Sequence, residues 1–392
     1  MSASIGAYIR PSRLPFTNGE YSELPTGPKF QQKSTARSRK LVKWCFLPAF
    51  GLLFLWWFTK DAFKAPPTPE PVKDLDPFEK CEQAIEEAHI PSLEEITSLQ
   101  SVTTAVAGAS GGSKHPPAWT DPAKWAKIIT PDELMERVEK GEHLAPRILH
   151  QSWKTTMLPD RFQRWSKLWQ TMLDETWLYV LWTDADNRKL VQKYFPDYLK
   201  SYDLLPREIY RADMVRNMYM HKFGGVYADL DLVPLTRLQE SIPILTHNTS
   251  PPIPIIYLGH MGDDNYAHSI PNAFMISSTP GHPFWKIPLD FVKEHQLDDE
   301  YNAQPEGLTG PVALRTSLRK WLKETEQREG NNTFAEVRVL PNERIYPFSW
   351  YDSPLFHHCL CRPHSPFFNE TRCHYAFPEA WTITYWTHSW GF

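Results

Sequence analysis

A strong net charge is absent from this sequence: 42 Lys and Arg residues nearly balance 46 Asp and Glu residues, for a formal charge of −4. Such a balance gives no indication of a nucleic-acid partner. Internal repeats are also absent, and cysteine is scarce, with five residues in 392. A chain of this length holds one large domain or two, plus accessory segments.

Long hydrophobic runs are absent except for LVKWCFLPAFGLLFLWWF at 41–58. The run is shorter than the roughly 20 residues of a typical spanning helix, but it suits thinner membranes of the early secretory pathway. A cleaved signal peptide fits less well because about 40 residues precede the run. A buried core helix fits less well because Trp56 and Trp57 mark one end and cations crowd the other. The excess of cations before the run predicts a single-pass type II membrane protein, with a cytoplasmic tail at 1–40 and an anchor at 41–58.

The rest of the chain is predicted to lie in the oxidising lumen, where disulfides persist. Three sequons fall on that side: Asn248, Asn331 and Asn369. Four cysteines do so too: Cys81, Cys359, Cys361 and Cys373. Four histidines surround the last three: His357, His358, His364 and His374. We expect a disulfide between Cys373 and either Cys359 or Cys361. A structural zinc site is the alternative, although the spacing matches no common finger pattern.

The chain after the anchor divides by composition. Residues 59–120 indicate a luminal stem, because APPTPEP is stiff and AVAGASGGSKHPP is flexible. The folded luminal domain is expected at 121–392, where apolar strands alternate with amphipathic helices. This alternation predicts an α/β fold with a mostly parallel sheet flanked by helices. The 16 tryptophans fit a Trp-rich core better than a set of sugar-stacking rings.

The segment HKFGGVYADLDLVPL at 221–235 carries two aspartates one residue apart. If the segment is extended, Asp229 and Asp231 point to the same side of a strand end, where open α/β sheets bind ligands. Hard cations such as Mg²⁺ or Mn²⁺ prefer paired carboxylates combined with substrate phosphates. Gly224 and Gly225 allow a tight turn or close backbone approach just before the strand.

The same DLDLV also fits the pattern of haloacid-dehalogenase-like phosphatases, with GDD at 262–264 as a second acidic motif. That family places its nucleophilic aspartate on the first strand of the domain. Here at least two predicted strands come first, so the phosphatase remains the minor alternative.

A family resemblance rests on six segments in this order: PRILHQSWK, YVLWTD, YRADMVRNMYMHKFGGVYADLDLVPL, NAFMISSTPGHPFW, LTGP and YWTHSW. Over about residues 145–392 the chain resembles glycosyltransferase family 32, which includes fungal Golgi mannosyltransferases. The resemblance implies a GT-A fold, a nucleotide-sugar donor, a Mn²⁺ or Mg²⁺ ion, and transfer with retention of anomeric configuration.

The resemblance also implies roles for individual residues. Asp229 and Asp231 would hold the metal and the donor pyrophosphate. Asp213 and Arg216 would contact the donor sugar and act with this pair in catalysis, and a plain i, i+3 ion pair is the alternative. Further donor contacts are implied at Trp153, Arg211, Asn272, Thr309, Gly310 and Trp390, and a further metal ligand at His388.

One position departs from the family pattern, because Asn217 stands where a tyrosine often follows the arginine. No carboxylate nucleophile is evident beyond the metal pair. We therefore expect a front-face mechanism in which the leaving phosphate oxygen takes the acceptor's proton.

The expected reaction is transfer of mannose from GDP-mannose to a glycan or glycolipid. UDP-galactose and UDP-glucose are the alternative donors, and a catalytically inactive glycan-binding module is the alternative of another class. The C-terminal TITYWTHSWGF is too short for a further span, which favours a glycan acceptor over a sphingolipid. The expected partners are the nucleotide sugar, the acceptor, the membrane and other Golgi enzymes in a complex.

Overall fold

The computed structural model describes residues 75–98, 119–246, 253–327 and 334–387. The chain divides into two units, Met1–Leu75 and Asp76–Phe392, and the helices and strands named below belong to the second. The predicted tail and anchor, and much of the predicted stem, lie outside the described residues. Within the ranges described, no helix is both long enough and apolar enough to cross a membrane.

The centre of the second unit is a seven-stranded sheet in the order β1-β3-β2-β4-β7-β6-β8. Its strands are β1 (Lys127–Ile129), β2 (Ile148–Ser152), β3 (Leu178–Trp182), β4 (Gly225–Ala228), β6 (Ile255–Gly259), β7 (Phe274–Ser277) and β8 (Glu336–Leu340). Four of the six neighbouring pairs are parallel, and β7 runs antiparallel to both β4 and β6. The predicted α/β fold with a mostly parallel sheet is therefore confirmed.

Helices flank this sheet. The longer ones are α1 (Pro77–Glu87), α2 (Pro131–Glu139), α3 (Asp160–Met172), α4 (Asp184–Tyr194), α5 (Pro196–Leu204), α6 (Glu208–Lys222), α7 (Lys286–His295), α8 (Pro311–Glu326), α9 (Leu355–Cys361) and α10 (Glu370–Tyr375). Short helical turns lie at Pro122–Lys124, Leu238–Ser241, Pro243–Thr246, Pro283–Trp285, Asp299–Asn302, Pro305–Leu308 and Asn342–Ile345. Thr130 caps α2 by accepting a hydrogen bond from the backbone of Glu133.

Tryptophan contributes heavily to the core, as expected from composition. The buried tryptophans of the described residues are Trp165, Trp169, Trp177, Trp182, Trp285 and Trp321. Helix α3 turns its predicted apolar stripe inward, since Phe162 and Met172 are buried together with the first two. Helix α6 is buried on most of its surface, so it is held rigidly against the sheet.

Two disulfides tie the C-terminal part of the domain together. Cys361 bonds to Cys373, which confirms one of the two expected pairings, and Cys359 bonds instead to Cys81 in α1. All four of these cysteines are thereby consumed, which excludes them as thiolate ligands for the alternative zinc site. The bond to Cys81 also docks part of the predicted stem onto the domain, so the folded unit begins near Asp76 rather than at 121.

The aspartate segment is not one continuous strand, contrary to the expectation of an extended segment. Strand β4 ends at Ala228, and the amide of Leu232 donates to the carbonyl of Asp229 at 3.1 Å, which closes a turn. Strand β5 (Leu232–Pro234) then pairs with β9 (Thr382–Thr384), far along the chain. The two aspartates therefore lie in a turn between two sheets, at the carboxyl end of β4.

Candidate active site

The glycine pair sets the position of β4. Gly224 and Gly225 have φ angles of 68° and 93°, which favour glycine. A Cβ on Gly225 would lie 2.5 Å from the carbonyl oxygen of Ile148 in the neighbouring strand. The buried ring of His150 donates from Nε2 to the carbonyl of Gly224 at 3.0 Å, while its Nδ1 accepts from the indole of Trp182 at 3.1 Å. Burial lowers the pKa of His150 to about 3, so the ring is neutral.

Arg216 connects two of the predicted carboxylates. Its Nη2 lies 2.9 Å from Oδ1 of Asp213, one helical turn earlier, and its Nη1 lies 3.2 Å from Oδ1 of Asp229. Nη1 also donates to the carbonyl of Asn272 at 3.1 Å. The guanidinium stacks over the ring of Tyr227 at 4.8 Å. The i, i+3 ion pair between Asp213 and Arg216 is therefore present, and Arg216 also contacts the aspartate turn. The donor-sugar role of the pair stays a prediction.

The Asp213 carboxylate lies in a tight setting. Burial raises the pKa of Asp213 to about 6, although the charge of Arg216 acts in the opposite direction. A Cβ on Gly310 would lie 2.9 Å from Cα of Glu306 and 3.2 Å from Oδ2 of Asp213, so a larger residue here would crowd both. The neighbouring Thr309 is buried and donates to the carbonyl of Pro305 at 3.2 Å. The structure therefore brings the predicted TGP loop to Asp213, the partner of Arg216.

Asp231 is held from the C-terminal side. Its Oδ2 accepts two hydrogen bonds from Thr387, one from the amide and one from the hydroxyl, both at 2.8 Å. The amide of Tyr385 donates to the Asp231 carbonyl at 2.9 Å. Burial raises the pKa of Asp231 to about 6, the charge of Asp229 adds to this rise, and the Thr387 bonds oppose it. The two carboxylates therefore lie near each other.

A divalent cation fits this donor set. Three carboxylates (Asp213, Asp229 and Asp231) against the single guanidinium of Arg216 leave a formal excess of two negative charges. Arg216 and the Tyr227 hydroxyl occupy Oδ1 of Asp229 at 3.2 and 2.7 Å, whereas among the residues described Oδ2 has only the Arg216 nitrogen, at 3.5 Å. No group of three His, Cys, Asp or Glu side chains forms a complete metal cage within the described ranges. Two carboxylates completed by substrate phosphates are the usual Mg²⁺ arrangement.

The family comparison points to the same region. Residues 159–250 match the model of the glycosyltransferase sugar-binding region containing a DXD motif. This span includes Asp213 and Arg216, and both aspartates of the turn, Asp229 and Asp231. The resemblance to glycosyltransferase family 32 is confirmed.

Three of the curated relatives that the chain resembles come from yeasts. The chain is 39% identical over 226 residues to inositol phosphoceramide mannosyltransferase 3 of Schizosaccharomyces pombe, covering 53% of this chain and 56% of the relative. It is 29% identical to inositol phosphoceramide mannosyltransferase 2 of that yeast, covering 53% and 55%. It is 31% identical to the mannosyl phosphorylinositol ceramide synthase SUR1 of Saccharomyces cerevisiae, covering 54% and 50%. The chain thus spans about half the length of the curated relatives it matches.

Among solved structures, the PaToxG glycosyltransferase is similar at 13% identity with a TM-score of 0.34, covering 50% of this chain and 80% of that one. The family match does decide against the phosphatase alternative, and three strands precede β4 in the chain.

Trp153 and Arg211 are two further residues that the resemblance to family 32 predicts to bind the donor, and the structure places them in different surroundings. Trp153 directly follows β2, is half-buried, and meets Phe162 edge to face at 5.1 Å. Its base-stacking role stays a prediction. Arg211 donates instead to Glu208 and to backbone carbonyls between 202 and 205, and every hydrogen bond that the structure shows for it goes to residues 202–208. The structure thus shows no hydrogen bond from Arg211 to Asp213 or Asp229, the two carboxylates that Arg216 contacts, within the described residues.

The remaining predicted residues fall on both sides of the described boundary. Asn272 is buried beside Arg216, whose guanidinium donates to the Asn272 carbonyl. His388 and Trp390 lie outside the described residues, directly after Thr387. Their predicted roles therefore stay predictions.

Sequence reasoning missed Tyr227, Thr387 and Gln151. Tyr227 stands two residues before Asp229, so strand periodicity alone places both on one side. Thr387 gave no such signal, because it reaches Asp231 from 156 residues away. The amide of Gln151 donates to the Asp229 carbonyl at 3.2 Å and supports the turn from beneath.

A cavity of about 960 Å³ opens elsewhere, between α3 and the β1 edge of the sheet, lined among others by Ile128, Gln163 and Tyr179. It contains none of the predicted site residues. Tyr179, which lines this cavity, is connected to the aspartate turn through Gln151. Its hydroxyl donates to the Gln151 side chain at 3.0 Å, and the Gln151 amide donates to the Asp229 carbonyl. We assign the candidate active site to the charged cluster of Asp213, Arg216, Asp229 and Asp231, and not to this cavity.

Proposed function

We propose that this chain is a metal-dependent glycosyltransferase of the GT-A type, which transfers mannose from GDP-mannose with retention. The observation that carries the proposal is the row of charges Asp213, Arg216 and Asp229, followed by Asp231, at the carboxyl end of β4. This row lies inside the matched sugar-binding region. The names of the curated relatives support mannose as the sugar.

Two pairs of residues have separate roles toward the donor: Asp213 with Arg216 binds the sugar, and Asp229 with Asp231 binds the cation. The Asp213 carboxylate accepts hydrogen bonds from sugar hydroxyls, and Arg216 holds that carboxylate in place through the 2.9 Å contact. Asp229 and Asp231 would hold the cation, oriented by Tyr227 and Thr387 respectively. When bound, the cation supplies positive charge that stabilises the leaving diphosphate. The acceptor's proton passes to the leaving phosphate oxygen, as a front-face reaction requires.

The names of the relatives also bear on the acceptor. Two of them are inositol phosphoceramide mannosyltransferases, so we take inositol phosphoceramide as the first acceptor to test. This choice replaces the glycan that the sequence alone favours. We further propose a luminal location in the Golgi behind the anchor at 41–58, and the two disulfides support an oxidising compartment.

The experiment uses the full chain in detergent micelles, because a shortened chain beginning near residue 120 would lose Cys81 and its bond to Cys359. The protein is incubated with Mn²⁺ and a panel of GDP- and UDP-sugars, and release of the nucleoside diphosphate is measured. We expect release from GDP-mannose, abolished by chelator and by Asp231→Ala. Glu300→Gln is the matched control, since Glu300 is an exposed acid remote in sequence from the aspartate turn.

Each other outcome has a meaning. Release from a UDP-sugar alone would replace the donor and keep the enzyme class. Binding of GDP-mannose without release in the presence of inositol phosphoceramide would indicate an inactive binding module. Release that Asp231→Ala leaves intact would refute the assignment of the site.

A further inference from the structure

Four aromatic rings from two loops form a cluster beside the site, which we call the aromatic platform: Tyr266, His268, Trp350 and Tyr351. The rings of Tyr266 and Tyr351 stack 4.1 Å apart at an angle of 11°, and His268 lies against Tyr266 at 5.2 Å. Trp350 meets Tyr266 and His268 edge on, at 5.7 and 5.8 Å. The two loops touch at Gly262, where a Cβ would lie 3.0 Å from the Asp352 carboxylate.

The platform does not resemble a closed piece of core. Tyr351 is 61% exposed, and the other three rings are half-buried. The Tyr266 hydroxyl is buried but has no hydrogen-bond partner within the part of the chain that the structure describes. Buried hydroxyls normally find partners, as that of Tyr179 does with Ser166 and Gln151. A ring stack with one solvent-exposed ring, Tyr351, and one hydroxyl without a partner among the described residues, that of Tyr266, is typical of a ligand surface.

One side of the platform borders the donor-sugar residues. Burial lowers the pKa of His268, and the nearby Glu306 carboxylate acts in the opposite direction. A Cβ on Gly310 would lie 2.9 Å from Cα of Glu306 and 3.2 Å from Oδ2 of Asp213, so Glu306 also lies beside Asp213. Glu306 belongs to the turn that ends at Gly310, which packs against Asp213. The guanidinium of Arg315, in the helix that begins directly after Gly310, donates to the carbonyl of Asp264 in the loop that carries Tyr266. This side of the platform therefore adjoins the segment that packs against Asp213.

The other side of the platform borders the metal residues. The loop that carries Trp350 begins after Tyr346, whose hydroxyl donates to the carbonyl of Pro271 at 3.3 Å. In the same loop the carbonyl of Phe348 accepts from the indole of Trp386 at 2.8 Å. Trp386 directly precedes Thr387, the residue that holds Asp231. The loop that carries Trp350 is thus hydrogen-bonded to Pro271 and Trp386, which directly precede Asn272 and Thr387 in the sequence.

We propose that the aromatic platform binds the acceptor by stacking against a six-membered polyol ring, either an inositol or a pyranose. Such rings present C–H groups on their faces, which suit aromatic surfaces, and hydroxyls at their rims, which suit carboxylates. The platform offers both, because the exposed carboxylates of Asp263 and Asp352 flank it. The charged Asp213–Arg216 pair suits the donor instead. This inference rests on the proposed glycosyl transfer and adds where its acceptor binds.

The test removes the outermost ring with Tyr351→Ala in the full chain, with myo-inositol 1-phosphate and methyl α-mannopyranoside as the two acceptor probes. We expect the KM for at least one probe to rise about tenfold, because the variant loses its stacking partner. The KM for GDP-mannose should move less than about twofold, since the donor contacts are unchanged. Tyr351→Phe should retain acceptor KM, since it keeps the ring. Tyr375→Ala, which removes another exposed tyrosine, should match the wild type.

The outcomes separate this inference from the proposed function. A rise confined to the inositol probe identifies an inositol ring, and one confined to the mannoside identifies a pyranose. Unchanged acceptor KM for both probes in Tyr351→Ala overturns the inference while transfer itself stands. If the wild type releases no nucleoside diphosphate from any donor, the proposed function fails. Saturation-transfer NMR with the same two probes then decides, and absence of binding, or binding that Tyr351→Ala leaves unchanged, overturns the platform as well.

Discussion

The ion pair between Arg216 and Asp213 should be strongly coupled, because both side chains are buried, at 7% and 9% exposure. Arg216→Met leaves two carboxylates without their shared cation, and breaking a buried pair from one side costs about 3–5 kcal/mol. Asp213→Asn relieves part of that cost in the double variant. We therefore expect a coupling free energy of about 2 kcal/mol or more from the double-mutant cycle.

The exposed pair Arg188–Asp203 is the matched control. It has comparable distances, 3.2 and 3.0 Å, but its side chains are 49% and 42% exposed. Solvent screening should keep its coupling below about 1 kcal/mol. Both cycles are measured by chemical denaturation followed through tryptophan fluorescence. Equal coupling in the two cycles, or an Arg216→Met variant as stable as the wild type, would refute the reasoning from burial.

Three further predictions concern Asp231, its partner Thr387, and the disulfide between Cys81 and Cys359. Thr387→Val removes one charge-assisted hydrogen bond to Asp231, so calorimetry should show Mn²⁺ affinity falling about tenfold, while Thr387→Ser retains it; equal affinities in both would contradict this role. Because the pKa of Asp231 is raised to about 6 from 3.8, the folded protein without metal binds the extra proton between these values. Its stability should therefore fall as pH rises from about 4 to about 6, and Asp231→Asn should flatten that trend in thermal melts. Cys81→Ser with Cys359→Ser opens a cross-link spanning 278 residues, which should cost about 2–5 kcal/mol in denaturation. A double variant as stable as the wild type would contradict this expected loss of stability.

Much of the fold follows from local pattern. The strand preceding Trp153 and the strand ending at Trp182 form as their apolar runs predict, and helix Pro311–Glu326 begins at the proline that its sequence indicates. The i, i+3 spacing of Asp213 and Arg216 likewise predicts their contact. These features depend on neighbours in sequence, so one chain suffices to find them.

The features that sequence did not predict depend on distant partners. Strand β7 inserts antiparallel between β4 and β6, which no strand pattern specifies. The aspartate segment breaks into a turn because β5 leaves the main sheet to pair with β9. Cys81 finds Cys359 rather than remaining in a free stem. In each case tertiary pairing decides among local conformations that the sequence leaves equally accessible.

The central claim is that Asp213, Arg216, Asp229 and Asp231 bind a nucleotide sugar together with a divalent cation. The most direct measurement is calorimetric titration of GDP-mannose into the full chain with Mn²⁺ and again with chelator. We expect binding that requires Mn²⁺, is lost in Asp231→Ala and is unchanged in Glu300→Gln. Binding of equal strength in chelator, or in Asp231→Ala, would contradict the claim.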